Sequence, residues 1–112
     1  MNTIYLIGDS TCHKNSKKTY PQVGWGQVFS MYVNDNYKIV NLAENGRSSK
    51  SFLEEGLFKK CEQNIKKGDF LFIQFGHNDA KVDNPLRYAE AHTDYYHNLH
   101  KYIDYWKCSF CY

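Results

Sequence analysis

Three short clusters of small and polar residues carry the chemistry available to this chain: Gly8-Asp9-Ser10-Thr11, Asn45-Gly46-Arg47-Ser48 and Gly76-His77-Asn78-Asp79. Acyl transfer needs a nucleophile and, beside it, several donors aimed at the oxygen that turns negative in the tetrahedral intermediate. The Ser10 hydroxyl can be the nucleophile. The Ser10 backbone N–H, the Gly46 backbone N–H and the Asn78 side-chain amide can be the donors. Glycine suits such a role because backbone approaches a ligand closely only where no side chain intrudes. Taken alone, Gly-Asp-Ser-Thr reads at least as well as a simple turn, since each of its residues favours one. The functional reading gains weight from the elements that precede each cluster.

Ile4-Tyr5-Leu6-Ile7 is an apolar run that halts at Gly8, the pattern of a strand buried on both faces, as in a parallel sheet. Tyr37 to Ala43 supplies a second, shorter strand, and Phe70 to Phe75 a third that runs straight into Gly76. In a parallel sheet all carboxyl ends lie on one edge, and in open α/β sheets ligands bind outside that edge. Between the strands, Trp25, Val28, Phe29, Tyr32 and Val33 recur at helical spacing. Leu53, Leu57, Cys61 and Ile65 form a second stripe, opened by a Ser51-x-x-Glu54 capping box and stopped at Lys66-Lys67-Gly68. A third helix is expected from Arg87 onward, with Tyr95, Leu99, Tyr102, Ile103 and Trp106 on one side. The order is βαβαβα, the pattern of right-handed parallel crossovers in an α/β fold.

These blocks resemble the GDSL or SGNH hydrolases, and within them the rhamnogalacturonan acetylesterase-like branch. Gly8-Asp9-Ser10-Thr11 matches the first block, with Thr11 where the wider family often has Leu. Asn41 to Ser49 matches the second and Gly76-His77-Asn78-Asp79 the third. Trp25-Gly26-Gln27 and Phe52 to Gly56 are similar to the acetylesterase branch as well. The resemblance implies a flavodoxin-like three-layer α/β/α fold and hydrolysis of an ester, with acetylated carbohydrate as the substrate. It makes Ser10 the nucleophile and has Gly46 and Asn78 complete the oxyanion hole. Asp9, Thr11, Arg47 and His77 flank these residues and are expected to line the substrate pocket, while Asp9 and Asp79 brace their loops through backbone hydrogen bonds. No metal or organic cofactor is implied.

One family block is missing at its usual place: the late Asp-x-x-His in which histidine is the general base for serine and aspartate orients it. A serine hydroxyl is a poor nucleophile without such a base. Asp94-Tyr95-Tyr96-His97 has the spacing but falls within the expected third helix, where Asp94 and His97 read as solvated surface residues. His13, His92 and His100 also read as surface residues. The expectation is therefore a single domain over residues 1–112 with its carboxyl-terminal half missing, an incomplete sheet, and a truncated, inactive acetylesterase. Two other readings stay open: a lipase or thioesterase of the same superfamily, and a non-catalytic carbohydrate-binding module.

A net charge of +2 with interspersed signs offers no basic stripe for nucleic acid. No apolar segment approaches a membrane span, and Met1 leaves no room for a signal peptide, so a cytoplasmic protein is expected if that start is native. Four cysteines fit that compartment as reduced thiols, and Cys108-Ser109-Phe110-Cys111 lacks the two further ligands a zinc site needs. The third strand is expected to leave an apolar edge open to self-association.

Overall fold

The computed structural model describes residues 2–15, 18 and 21–110, the last four by backbone alone; the Cys108/Cys111 pair, Tyr20 and Ser16 lie outside what is described of side chains. Three strands, β1 (Asn2–Gly8), β2 (Tyr37–Asn41) and β3 (Phe70–Gln74), form one parallel sheet in the order β2-β1-β3. Gly8 is opposite Gln74, so β1 and β3 end level, and Asn41 is opposite Leu6, so β2 ends two residues short of them on the same edge. Beyond β2 the chain still follows β1, with Leu42 N donating to Leu6 O at 2.8 Å and Glu44 N to Gly8 O at 3.1 Å.

The period of two along β1 sorts its apolar side chains into two cores. Ile4 and Leu6 pack with Cys12 and Ala43 beneath Phe29, Val33, Tyr37 and Ile39. Tyr5 and Ile7 pack on the opposite face with Phe52, Phe58, Cys61, Phe75 and Tyr102. Tyr102 anchors that second core, stacked on Phe75 at 5.7 Å and edge-on to Phe58 at 4.8 Å. The helix after β1 therefore covers one face and the helices after β2 and β3 cover the other, giving the three-layer α/β/α arrangement. β1 and β3 are neighbours whose chains leave in opposite directions, so the crevice of the fold opens between them.

The helices depart from the expected outlines. The first is a short α1 (Trp25–Val28) that tightens into a 3-10 turn over Phe29–Tyr32. The single second helix is two, α2 (Ser49–Glu54) and α3 (Lys59–Asn64), interrupted at Gly56, whose φ of 75° is left-handed and ends a helix at little cost only for glycine. Leu53, Leu57, Cys61 and Ile65 still meet in one core, because the break leaves their common side intact. The capping box is Ser48 with Ser51, not Ser51 with Glu54: Ser48 Oγ accepts from Ser51 N at 3.1 Å and Ser48 N donates to Ser51 Oγ at 2.8 Å. The last helix, α4 (Asp94–Phe110), starts at Asp94 rather than Arg87. The preceding stretch is folded into turns around Asn84 and Pro85, and Glu90 accepts from His92 N and Thr93 Oγ1 just before the helix begins.

β3 is an edge of the sheet among the described residues, and it exposes Phe70 by 45% and Phe72 by 38% where an interior strand would bury them. Among the described residues no helix is long and apolar enough to cross a membrane.

Cys12 and Cys61 are fully buried free thiols. Burial pushes each up to about 12, with Asp9 adding to the rise at Cys12 and Glu62 at Cys61. Thiolate is the reactive form, so neither should react in the native state. Iodoacetamide labelling mapped by mass spectrometry is expected to mark both only in denaturant; native labelling of either would contradict this packing.

Candidate active site

Ser10 follows β1 in a turn that is closed by Cys12 N and His13 N, both donating to Asp9 O at 3.1 Å. Asp9 is fully buried and holds the turn from below: its Oδ1 accepts from Thr11 N at 3.0 Å and lies 2.7 Å from Thr11 Oγ1. The Thr11 hydroxyl is also 2.5 Å from Gln74 Oε1 at the end of β3, so it donates to one or the other. Trp25 Nε1 donates to the same Gln74 oxygen at 3.3 Å. Ser10 is half-buried, and among the described residues no side chain hydrogen-bonds its hydroxyl. Asp9, expected both to brace and to line a pocket, presents no surface and does the bracing.

The loop after β2 is tied to the first by three contacts. His13 Nδ1 lies 2.6 Å from Ala43 O, Asn41 Nδ2 donates to Cys12 O at 2.8 Å, and Asn45 Nδ2 reaches Asn15 Oδ1 at 3.4 Å. His13 is accordingly half-buried and structural rather than a surface residue. Gly46 sits in this loop at φ 75°, where a Cβ would also come within 3.0 Å of Arg87 Nη2. Two constraints thus select glycine there. The Arg47 guanidinium bonds to Asn45 O and to Glu55 Oε1, at 2.8 and 3.0 Å. Its charge is spent on that pair.

The loop after β3 is tied to the second in turn. Asn78, 2% exposed, donates through Nδ2 to Arg47 O at 2.9 Å, while its Oδ1 accepts from Arg87 Nη1 at 3.3 Å. Asp79, 3% exposed, receives Ser49 N on both oxygens at 3.0 and 3.1 Å and the Ser49 hydroxyl on Oδ1. Ser49 is held from the other side by α4, with Tyr102 OH donating to its carbonyl at 2.8 Å and Asn98 Nδ2 to its hydroxyl at 3.2 Å. His77 is exposed, and Asp94 and His97 lie on the exposed first turn of α4 as expected.

Electrostatically, the ground beneath this edge is acidic. Burial raises the Asp79 carboxyl above its ordinary value, outweighing the lowering by the Ser49 hydrogen bonds, and the nearby Asp9 carboxylate adds to the rise. The second oxygen of Asp9 is buried without a hydrogen-bond partner among the described residues. Burial together with the Asp79 and Asp9 charges raises the Tyr95 phenol, whose hydroxyl donates to Phe75 O at 2.7 Å. Among the described residues no group of three or more His, Cys, Asp or Glu side chains could hold a metal ion. A cavity of about 360 Å³ opens beside the third loop, lined among others by Gly76, Asp79, Tyr88 and Tyr95.

Comparison with known proteins agrees with the family resemblance read from the sequence. The model of the GDSL-like lipase/acylhydrolase family matches residues 4–108. The chain belongs to that family. Among curated relatives, the Bacillus subtilis protein YesY, named a probable rhamnogalacturonan acetylesterase, is 43% identical over 91% of this chain and 46% of its own. The B. subtilis rhamnogalacturonan acetylesterase RhgT is 42% identical over 77% of this chain and 37% of its own. The crystal structure of B. subtilis YxiM superposes on this GDSL-like chain with a TM-score of 0.85 at 26% identity, covering 96% of this chain and 30% of that one. The chain thus spans less than half the length of these relatives.

Arg87 and Gln74 touch the site although neither was a site candidate from sequence. Both are single polar residues outside any repeated pattern, so only the folded contacts reveal them.

Asp79 yields a measurable expectation. Its folded pKa exceeds the unfolded one, so its contribution favours folding most below the ordinary carboxylate value of about 4 and is lost as pH rises through the folded value. Asp79→Asn keeps an accepting oxygen for Ser49 without the charge and is expected to flatten this part of the profile, read as urea midpoints across about pH 4 to 7. Asp79→Ala leaves the buried Ser49 groups unpaired and is expected to cost about 3 kcal/mol.

Proposed function

We propose that this chain carries the nucleophile and oxyanion-binding part of a serine carbohydrate O-acetylesterase, a hydrolase of carboxylic ester bonds. Ser10 Oγ attacks the acetyl carbonyl, and the N–H groups of Ser10 and Gly46 with the Asn78 amide receive the developing negative charge. A single observation carries this reading: three parallel strands end on one edge, and the loops beyond them, bearing Ser10, Gly46 and Asn78, are hydrogen-bonded to one another. Thr11, Arg47 and His77 stand around that edge as substrate-contacting candidates, with Arg47 reaching substrate only through what its pair with Glu55 leaves free. Identity of 42–43% to proteins named for rhamnogalacturonan deacetylation supports acetylated carbohydrate over a lipid or thioester. Their names likewise favour an enzyme over a sugar-binding module.

The serine needs a base, and no histidine among the described residues bonds to it. His13 is committed to the Ala43 carbonyl, and His77, His92, His97 and His100 are exposed, with no bond to Ser10 among the described residues. We therefore assign the general base and its orienting carboxylate, the Asp-x-x-His of the family, to residues beyond these 112, and infer that these 112 alone hydrolyse esters negligibly.

Two assays test this. The 112 residues alone are expected to release no more nitrophenolate from 4-nitrophenyl acetate than Ser10→Ala does; Ser10-dependent turnover would place a base within the chain. Joined to a segment bearing Asp-x-x-His, the chain is expected to release acetate from acetylated pectic oligosaccharide, and Ser10→Ala to slow this by about 10³-fold or more. Undiminished acetate release by Ser10→Ala would end the serine mechanism.

A further inference from the structure

Arg87 touches both side groups that the proposed reading assigns to the oxyanion. Its Nη1 lies 3.3 Å from Asn78 Oδ1, and its Nη2 covers Gly46 so closely that a Cβ there would stand 3.0 Å away. A guanidinium only donates and a backbone carbonyl only accepts. The end of the Asn78 amide facing Arg87 must therefore be oxygen, and the end facing Arg47 O must be nitrogen, as the 2.9 Å contact has it. The two partners fix the same orientation independently. One Nδ2–H is used by Arg47 O, and the other has no acceptor among the described residues, which leaves it for a ligand. Unlike Arg47, which pairs with Glu55, Arg87 has no carboxylate partner among the described residues. A cavity of about 290 Å³, lined by Gly46, Arg47, Arg87 and Glu55 among others, keeps this guanidinium in reach of solvent.

We propose that Arg87 is a positioning residue of the oxyanion pocket: it locks the Asn78 amide with its nitrogen toward the donor side and clamps the Gly46 loop at a fixed distance from it. The proposal rests on the reading of Gly46 and Asn78 as oxyanion donors. Without Arg87 the buried Oδ1 of Asn78 loses its donor, and the amide has less reason to prefer one of its two orientations.

The test is nuclear magnetic resonance of the 112-residue protein, which needs no turnover. In the wild type, scalar coupling across the hydrogen bond from Asn78 Nδ2 to the Arg47 carbonyl carbon is expected. Arg87→Met should shift the equilibrium constant between the two amide orientations about fivefold toward the flipped one, the change that loss of one ordinary hydrogen bond brings, read as a weaker coupling because Arg47 O then holds the amide alone, with the backbone spectrum of β1 and α4 unmoved. Arg87→Lys retains a cationic donor and should retain the coupling. Undiminished coupling in Arg87→Met overturns the proposal. Should Arg87→Met fail to fold, the wild type decides through the coupling from Arg87 Nη1 to Asn78 Cγ, which reads the Arg87 contact directly: its presence supports the proposal, and its absence overturns it. Ester hydrolysis by Ser10→Ala tests the underlying reading separately, so loss of the esterase reading and loss of the Arg87 role give different results.

Discussion

The buried contact between the Asp79 carboxylate and the first residue of α2, Ser49, is what the geometry of this edge depends on. It joins the loop after β3 to the loop after β2 in a place from which water is excluded. A carboxylate taken out of water is stable only when its oxygens are paired. Asp79 therefore cannot drift without losing both Ser49 contacts, and Ser49 cannot drift without releasing Tyr102 and Asn98. Core packing by Tyr102 and loop position at Asn78 are in this way one structural event. The cost is visible in the raised Asp79 carboxyl, which shows that desolvation is only partly offset.

The sheet supplies the complementary constraint. β1 is central, so the turn bearing Ser10 leaves a strand paired on both sides, while Gly46 and Asn78 leave its two neighbours. Side chains beneath the edge are inert by burial, including the Cys12 thiol and Asp9. Those above it divide by charge compensation: Arg47 is paired with Glu55, and Arg87, with no carboxylate partner among the described residues, faces the Asn78 oxygen. The same edge thus separates groups that hold shape from groups left open to a ligand.

Most of the strand and loop plan was legible from residue types. Continuous apolar runs such as Phe70 to Phe75 mark strands buried on both faces whatever their context, and the polar clusters that stop them mark the edge. Helix boundaries were less legible because they turn on single backbone choices. Gly56 breaks a stripe whose apolar period continues across it, and Ser48 outcompetes Ser51 as the cap because Ser51 can answer it reciprocally. The segment before α4 was misread as helix from Arg87, since Asn84 and Pro85 act there through turns rather than through periodicity. At the site, the members of the three blocks were visible as blocks. Arg87 was not, because its meaning lies in a contact with Asn78 that no local pattern encodes.

The strand order also has a kinetic consequence. Of the three strands β1 is made before the others, yet it meets β3 only after the whole intervening chain is in place: Thr3 N bonds to Asp69 Oδ1 across 66 residues. Closing so long a loop costs entropy before any contact repays it, which places this pairing late in assembly. A nascent chain could hold the β1–β2 ladder for some time with no working crevice at all, and would acquire one abruptly when the third strand docks. The site is therefore a reporter of the β1–β3 pairing rather than of the earlier β1–β2 one.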